Sequence, residues 1–175
     1  MNKINVILAA LALCSTTPVL AAATAATQST TVTATNSGTD TLSVTGNLSV
    51  DFVNAEFGTT AQAAGSASVA YETQDNTADG DRSITVSLAL AGGLTSLPAG
   101  MTISLTPTVG TAAAGNGGTG AAVNFSGNNF AAQNLITGIA QFTTGGTANV
   151  AYSVTATRGF ENFTGTLTYT IGTGL

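Results

Sequence analysis

The acids are where this 175-residue chain holds the residue types that do chemistry. Asp75-Asn76-Thr77-Ala78-Asp79-Gly80-Asp81 is the one place where they cluster, and carboxylates on a turn are the ligands Ca²⁺ takes. The spacing misses the EF-hand loop, and no bidentate Glu follows at the required distance. Asp79-Gly80 has an ordinary use as a turn needing positive φ, so a solvated turn is expected, with Asp75, Asp79 and Asp81 the only metal candidates. Asp40, Asp51, Glu56 and Glu161 are scattered, and glycoside hydrolysis needs two carboxylates facing across a cleft. With no Trp and 3 Tyr, an aromatic sugar platform is not evident. The chain has no His, which removes a His base, Ser-His-Asp and Cys-His catalysis and His metal sites. The expectation is a non-enzyme with no cofactor. Thr-x-Thr recurs at Thr31/Thr33/Thr35, Thr106/Thr108, Thr155/Thr157 and Thr166/Thr168/Thr170, but without the fixed period of an ice-binding array, so these read as wet strand faces. Asn47, Asn124 and Asn162 open sequons that matter only where exported Asn is glycosylated.

Composition narrows the partners. Charged residues are 6% of the chain, against about 25% in an average soluble domain, and the formal net charge is −5. So few cations remove the electrostatic basis for binding nucleic acid, and they argue against docking on an anionic lipid surface. Hydrophobic residues at 43% argue against disorder, leaving Thr, Ser, Asn and Gln to hydrate the surface.

The first segment reads as an export signal. Lys3, the only lysine, precedes an apolar run from Ile4 to Leu13, and small residues follow at Val19-Leu20-Ala21-Ala22-Ala23. Cleavage is expected after Ala21 or Ala23, making 1–23 a signal peptide. The apolar run is short for a membrane-spanning helix, which needs about 20 residues. Cys14 sits in a lipobox-like Leu11-Ala12-Leu13-Cys14, but Leu13 replaces the small residue a lipobox wants, so Cys14 is expected to be discarded. The mature chain then keeps Arg82 and Arg158 as its only basic side chains and uses no disulfide in an oxidising compartment.

The elements that must position everything else read as strands. Apolar residues recur with period two, not 3.6. Ile84, Val86, Leu88 and Leu90 alternate with polar or small residues, as do Met101, Ile103 and Leu105, then Ala148, Val150, Tyr152, Val154 and Ala156, and finally Leu167, Tyr169 and Ile171. Leu42, Val44, Leu48, Val50 and Phe52 share one parity around Gly46, while Leu135 to Phe142 is apolar but irregular. Such runs have one buried and one wet face, which predicts an all-β, immunoglobulin-like antiparallel β-sandwich of seven to nine strands. Gly110 to Gly120 reads as a mobile loop.

Two ends of the mature chain resemble a known family. Ser29-Thr30-Thr31-Val32-Thr33-Ala34-Thr35 follows soon after the cleavage site, and Glu161-Asn162-Phe163-Thr164-Gly165-Thr166-Leu167-Thr168-Tyr169-Thr170-Ile171 ends near the terminus. The pairing resembles major pilins of chaperone–usher fimbriae, closest to the disulfide-free colonisation-factor and common-pilus types. The resemblance implies a sandwich lacking its last strand, filled first by a periplasmic chaperone at the outer-membrane usher. The N-terminal extension of the next subunit then replaces the chaperone. It implies a head-to-tail homopolymer at the cell surface, supporting adhesion to a host or surface receptor or biofilm formation. On this chain 24–36 would be the extension, with Thr30, Val32 and Ala34 its inward residues. Leu167, Tyr169 and Ile171 would flank the acceptor groove of a single domain, 37–175. Equally, Ser29–Thr35 reads as the first strand of the chain's own sandwich.

Two other functions fit the same residues. One is a secreted binding module recognising glycan or a surface ligand through loops such as Gly110–Gly120, and the other is a monomeric wall or matrix protein. Mass spectrometry of the exported protein is expected to give a first residue of Ala22 or Thr24; a lipid-modified Cys14 at the N-terminus overturns the export reading.

Overall fold

The computed structural model describes residues 27–35, 40–46, 48–51, 61–74, 81–157 and 164–175. The segment read as an export signal, residues 24–26 and 36 of the expected extension, Asp75, Asp79, Asn47 and the Asn162 sequon's first two residues lie outside them. The described residues are all β, with strands β1 (Thr27–Thr35), β2 (Thr41–Thr45), β3 (Leu48–Asp51), β4 (Ala61–Glu72), β5 (Arg82–Leu90), β6 (Met101–Val109), β7 (Thr119–Gly120), β8 (Val123–Ser126), β9 (Gln133–Ile139), β10 (Gly146–Ala156) and β11 (Thr164–Thr173). They form a β-sandwich of two sheets: a first of order β3-β1-β11-β5-β9-β7 and a second of order β2-β4-β10-β6-β8. Eight strands have five residues or more, within the expected seven to nine. The other three, β3, β7 and β8, each end a sheet, and short edge strands offer little unpaired backbone to another chain.

Alternation explains the layers. Ile84, Val86 and Leu88 of β5 and Leu167, Tyr169 and Ile171 of β11 are buried on the first sheet. Val69 and Tyr71 of β4, Val150, Tyr152 and Val154 of β10, Met101, Ile103 and Leu105 of β6, and Val123 and Phe125 of β8 are buried on the second. Each fully buried aliphatic or aromatic side chain contributes roughly 1.5–3 kcal/mol relative to exposure, so the parity of these runs fixes their register.

Three features depart from the simple pattern. The sheets are not wholly antiparallel: β1 runs parallel to β11, in register from Ser29↔Thr164 to Thr35↔Thr170. These are the first and last described strands, so the rest of the sandwich is the crossover a parallel pair requires. In β9, Leu135 and Ile136 are adjacent yet both buried, because the β5–β9 register shifts on either side of Ile84. A bulge of this kind turns consecutive side chains the same way, which accounts for the irregular apolar run.

The third departure is at Gly46. The single parity of Leu42, Val44, Leu48 and Val50 suggests one strand, but the chain changes sheets there, with β2 in the second and β3 in the first. Gly46 has φ +128°, and a Cβ on it would lie 2.8 Å from the Ser66 carbonyl oxygen and 2.9 Å from Ala67 Cα. Both neighbours are backbone atoms of a long strand and cannot give way. Gly46→Ala is expected to destabilise the fold by about 1–3 kcal/mol, read as a lower midpoint in urea unfolding.

Candidate functional site

β11 is the strand around which the first sheet is organised. On one side it pairs antiparallel with β5 through nine residues, Gly165↔Leu90 to Thr173↔Arg82. On the other it pairs with β1 through seven, and β1 in turn pairs antiparallel with β3 from Thr27↔Asp51 to Thr30↔Leu48. The expected donor residues Thr30, Val32 and Ala34 stand in register with Gly165, Leu167 and Tyr169. The expected acceptor residues Leu167, Tyr169 and Ile171 are at most 1% exposed. The structure therefore brings the two sets together within one chain. β11 becomes a sheet edge only when β1 is lifted away, and the vacated place is then a slot walled by β3 and β11.

Behind β11, Tyr169 reaches across the core to the second sheet, where its hydroxyl and that of Tyr152 share a buried hydrogen bond of 2.7 Å. A phenol takes its polar tip into an apolar core at little cost when that tip is paired. Burial pushes the Tyr169 hydroxyl far above the ordinary tyrosine range, and the neighbouring Tyr152 adds to it. Burial also raises Tyr152, against the hydrogen bond from Tyr169, and raises Tyr71.

One end of the sandwich is closed by buried polar groups. Asp40 and Arg82 form an ion pair, Asp40 Oδ2 to Arg82 Nε at 3.0 Å, with side chains 1% and 7% exposed. The Nε–H is not aimed along a hydrogen-bond direction to that oxygen, so the contact is principally Coulombic. The Gln74 N–H donates to Asp40 Oδ1 at 3.3 Å. Beside it, Thr73 Oγ1 donates to the Ala140 carbonyl at 2.5 Å and accepts the Thr143 N–H at 2.9 Å. Thr143 Oγ1 also reaches the Asn116 carbonyl at 2.9 Å. None of these pairs is signalled locally in the sequence. The nearest clue is that Arg82 is one of only 3 Lys and Arg residues in the chain.

The same network corrects the expectation of a mobile Gly110–Gly120 loop. Gly110 N–H donates to the Thr147 carbonyl, Ala113 N–H to the Thr144 carbonyl, and Tyr71 hydroxyl to the Gly117 carbonyl at 2.5 Å. Ala114 bridges Thr144, and Thr119–Gly120 forms β7. The loop is a tethered cap. Of the Ca²⁺ candidates only Asp81 is described; it is exposed, and no group of three or more His, Cys, Asp or Glu among the described residues could hold a metal.

Comparison with known protein families, characterised proteins and solved structures finds no match to this chain.

All three tyrosines of the chain have raised pKa values in the fold. A phenol raised in the folded state contributes its full stability below the unfolded value of about 10 and loses it as pH climbs above that. The ultraviolet signal of tyrosinate is therefore expected to stay flat past pH 10 while the fold holds, then rise in one cooperative step with alkaline unfolding. Replacing Tyr152 and Tyr169 together by Phe makes the stability loss above pH 10 shallower.

Proposed function

We propose that the protein is a structural subunit of a cell-surface fimbria that polymerises head to tail by donating its first strand to the next copy. The observation that supports this most is the place of β1. β1, the first described strand, occupies an interior place of the first sheet, between β3 and β11. In this reading it leaves that place for a second copy while an incoming strand takes it.

The connection is short. Residues 36–40 lead from the first sheet to the second, and sheets pack about 10 Å apart while five residues span at most roughly 17 Å. Short connections of this kind favour exchange of an element between copies. The direction of β1 adds a gradient. Its own chain delivers it parallel to β11 over seven residues, the slightly weaker geometry, and antiparallel to β3 over four; a strand arriving in the opposite sense exchanges the two, gaining on the longer side. Val32 is the one sizeable apolar residue from Ser29 to Thr35, so backbone pairing supplies most of the hold in either arrangement. Exchange is then near neutral in contacts, biased by direction and by concentration.

In this reading the fold is an immunoglobulin-like sandwich lacking its own last strand, and Leu167, Tyr169 and Ile171 lie under the accepted one. Export, a periplasmic chaperone that holds the slot, and an outer-membrane usher follow from the family resemblance, as do adhesion and biofilm formation. The head-to-tail contact does not close on itself, which gives a filament and not a ring.

The test appends 24–36 after Leu175 through a short Gly/Ser linker. The added strand turns back beyond β11 and competes for the slot in the antiparallel sense. The fused chain is expected to melt higher than the unfused one and to remain monomeric at concentrations where the unfused chain forms ladders of oligomers. Equal melting temperatures overturn the proposal.

A further inference from the structure

The cap made by 110–120 is built around a single asparagine. Asn116 is followed by Gly117, the only Asn-Gly pair in the chain. A backbone nitrogen that follows Asn can attack the side-chain amide, and glycine, with no Cβ, leaves the way to that nitrogen open. The Asn116 side chain is exposed, so water and base reach it. Its Oδ1 accepts the Gly118 N–H at 3.0 Å, which aims the amide one residue past the nitrogen that would attack. The Asn116 carbonyl accepts the Ala140 N–H at 3.0 Å and the Thr143 hydroxyl at 2.9 Å. The Gly117 carbonyl accepts the buried Tyr71 hydroxyl at 2.5 Å. Gly117 N therefore sits between two clamped carbonyls, and a planar peptide unit turns only as a whole. Gly117 is itself buried, and a Cβ on it would lie 3.3 Å from the Tyr71 hydroxyl oxygen, so glycine is what lets the chain pass there.

We propose that Asn116 is a site of spontaneous deamidation that the folded cap holds shut. In the step, Gly117 N gives its proton to solvent base and bonds to Asn116 Cγ. The Cγ–Nδ2 bond breaks, and the amide nitrogen leaves as ammonia with a proton from water. Water then opens the cyclic imide at either carbonyl, leaving Asp or an isoaspartyl link; the net change is water in and ammonia out. No oxidant, reductant or cofactor takes part. Cyclisation needs the amide to leave the Gly118 N–H and the 116–117 unit to turn against its hold on Ala140 and Thr143. The cap must therefore open first. The isoaspartyl product routes the backbone through Cγ, one carbon longer, and its main-chain carbonyl no longer falls where Ala140 and Thr143 donate. A chain modified in this way while open does not rebuild the same cap, so the modification is a lasting record of the opening.

Peptide mass mapping of the full chain, aged at neutral pH, tests it. Deamidation adds about one mass unit to the peptide that holds Asn116. The chain in urea is expected to gain it roughly tenfold faster than the folded chain or more, because the folded chain reacts only through local opening. Asn124, Asn134 and Asn149, followed by Phe, Leu and Val, are the references and stay unmodified over the same interval. Thr143→Val keeps the side-chain shape and removes one donor to the Asn116 carbonyl; it is expected to speed the folded-state reaction about two- to tenfold. Tyr71→Phe, which frees the Gly117 carbonyl, acts in the same direction and decides the matter where Thr143→Val does not fold. Gly46→Ala weakens the fold away from the cap and leaves the folded-state rate unchanged. Equal rates in the folded chain and in urea overturn the guard, and no gain at Asn116 in urea overturns the site. A folded-state rate unmoved by both cap variants overturns the role of the cap, as does acceleration by Gly46→Ala equal to theirs.

Discussion

A strand in the middle of a sheet must have its backbone paired on both sides, and β11 meets that requirement on one side through a strand from the other end of the chain. Nine residues of β5 cover one edge of β11 and seven of β1 cover the other. Everything on the first sheet depends on that second pairing. Leu167, Tyr169 and Ile171 build the core beneath it, and the Tyr169–Tyr152 hydrogen bond carries it through to the second sheet. An unpaired N–H or C=O in that position would be left partly desolvated, so the slot does not tolerate vacancy. It has to be filled, and β1 fills it.

The distribution of charge obeys the same logic. A protein with few charges solves solubility by hydrating Thr and Ser on the outer faces, as Thr164, Thr166, Thr168 and Thr170 alternate with the buried residues of β11. Some of the charge it has is placed inside, where Asp40 and Arg82 neutralise each other. A buried ion pair is a weak source of stability but a strong source of position, because breaking it is far more costly than forming it is favourable.

Much of the fold was legible because period-two burial is a local property. Ile84 to Leu90, Met101 to Leu105, Ala148 to Ala156 and Leu167 to Ile171 each announce a strand and its inner face without reference to any other segment. The sandwich follows from that parity. What the sequence hid is long-range. No local pattern says that β1 runs parallel to β11, that Leu135 and Ile136 share a face through a bulge, or that the chain changes sheets at Gly46. The Gly-rich stretch 110–120 looked loose because its restraints, Thr143, Thr144, Thr147 and Tyr71, lie elsewhere in the chain. At the candidate site, the two ends were readable as a pair, while Asp40 and Arg82 were only a stray acid and a rare cation.

The burial of Arg82 also bears on how the protein resists digestion. Trypsin-like proteases cut after lysine or arginine and need several residues of extended, accessible backbone around the bond. The chain has one lysine, Lys3, and two arginines, and Arg82 is sealed at the start of a strand paired on both sides. Lys3 and Arg158 are then the remaining bonds of that kind in the sequence. From Arg82 to Thr157 the described sandwich offers digestive enzymes of this specificity almost no purchase, a durability that arises from the placement of a single side chain.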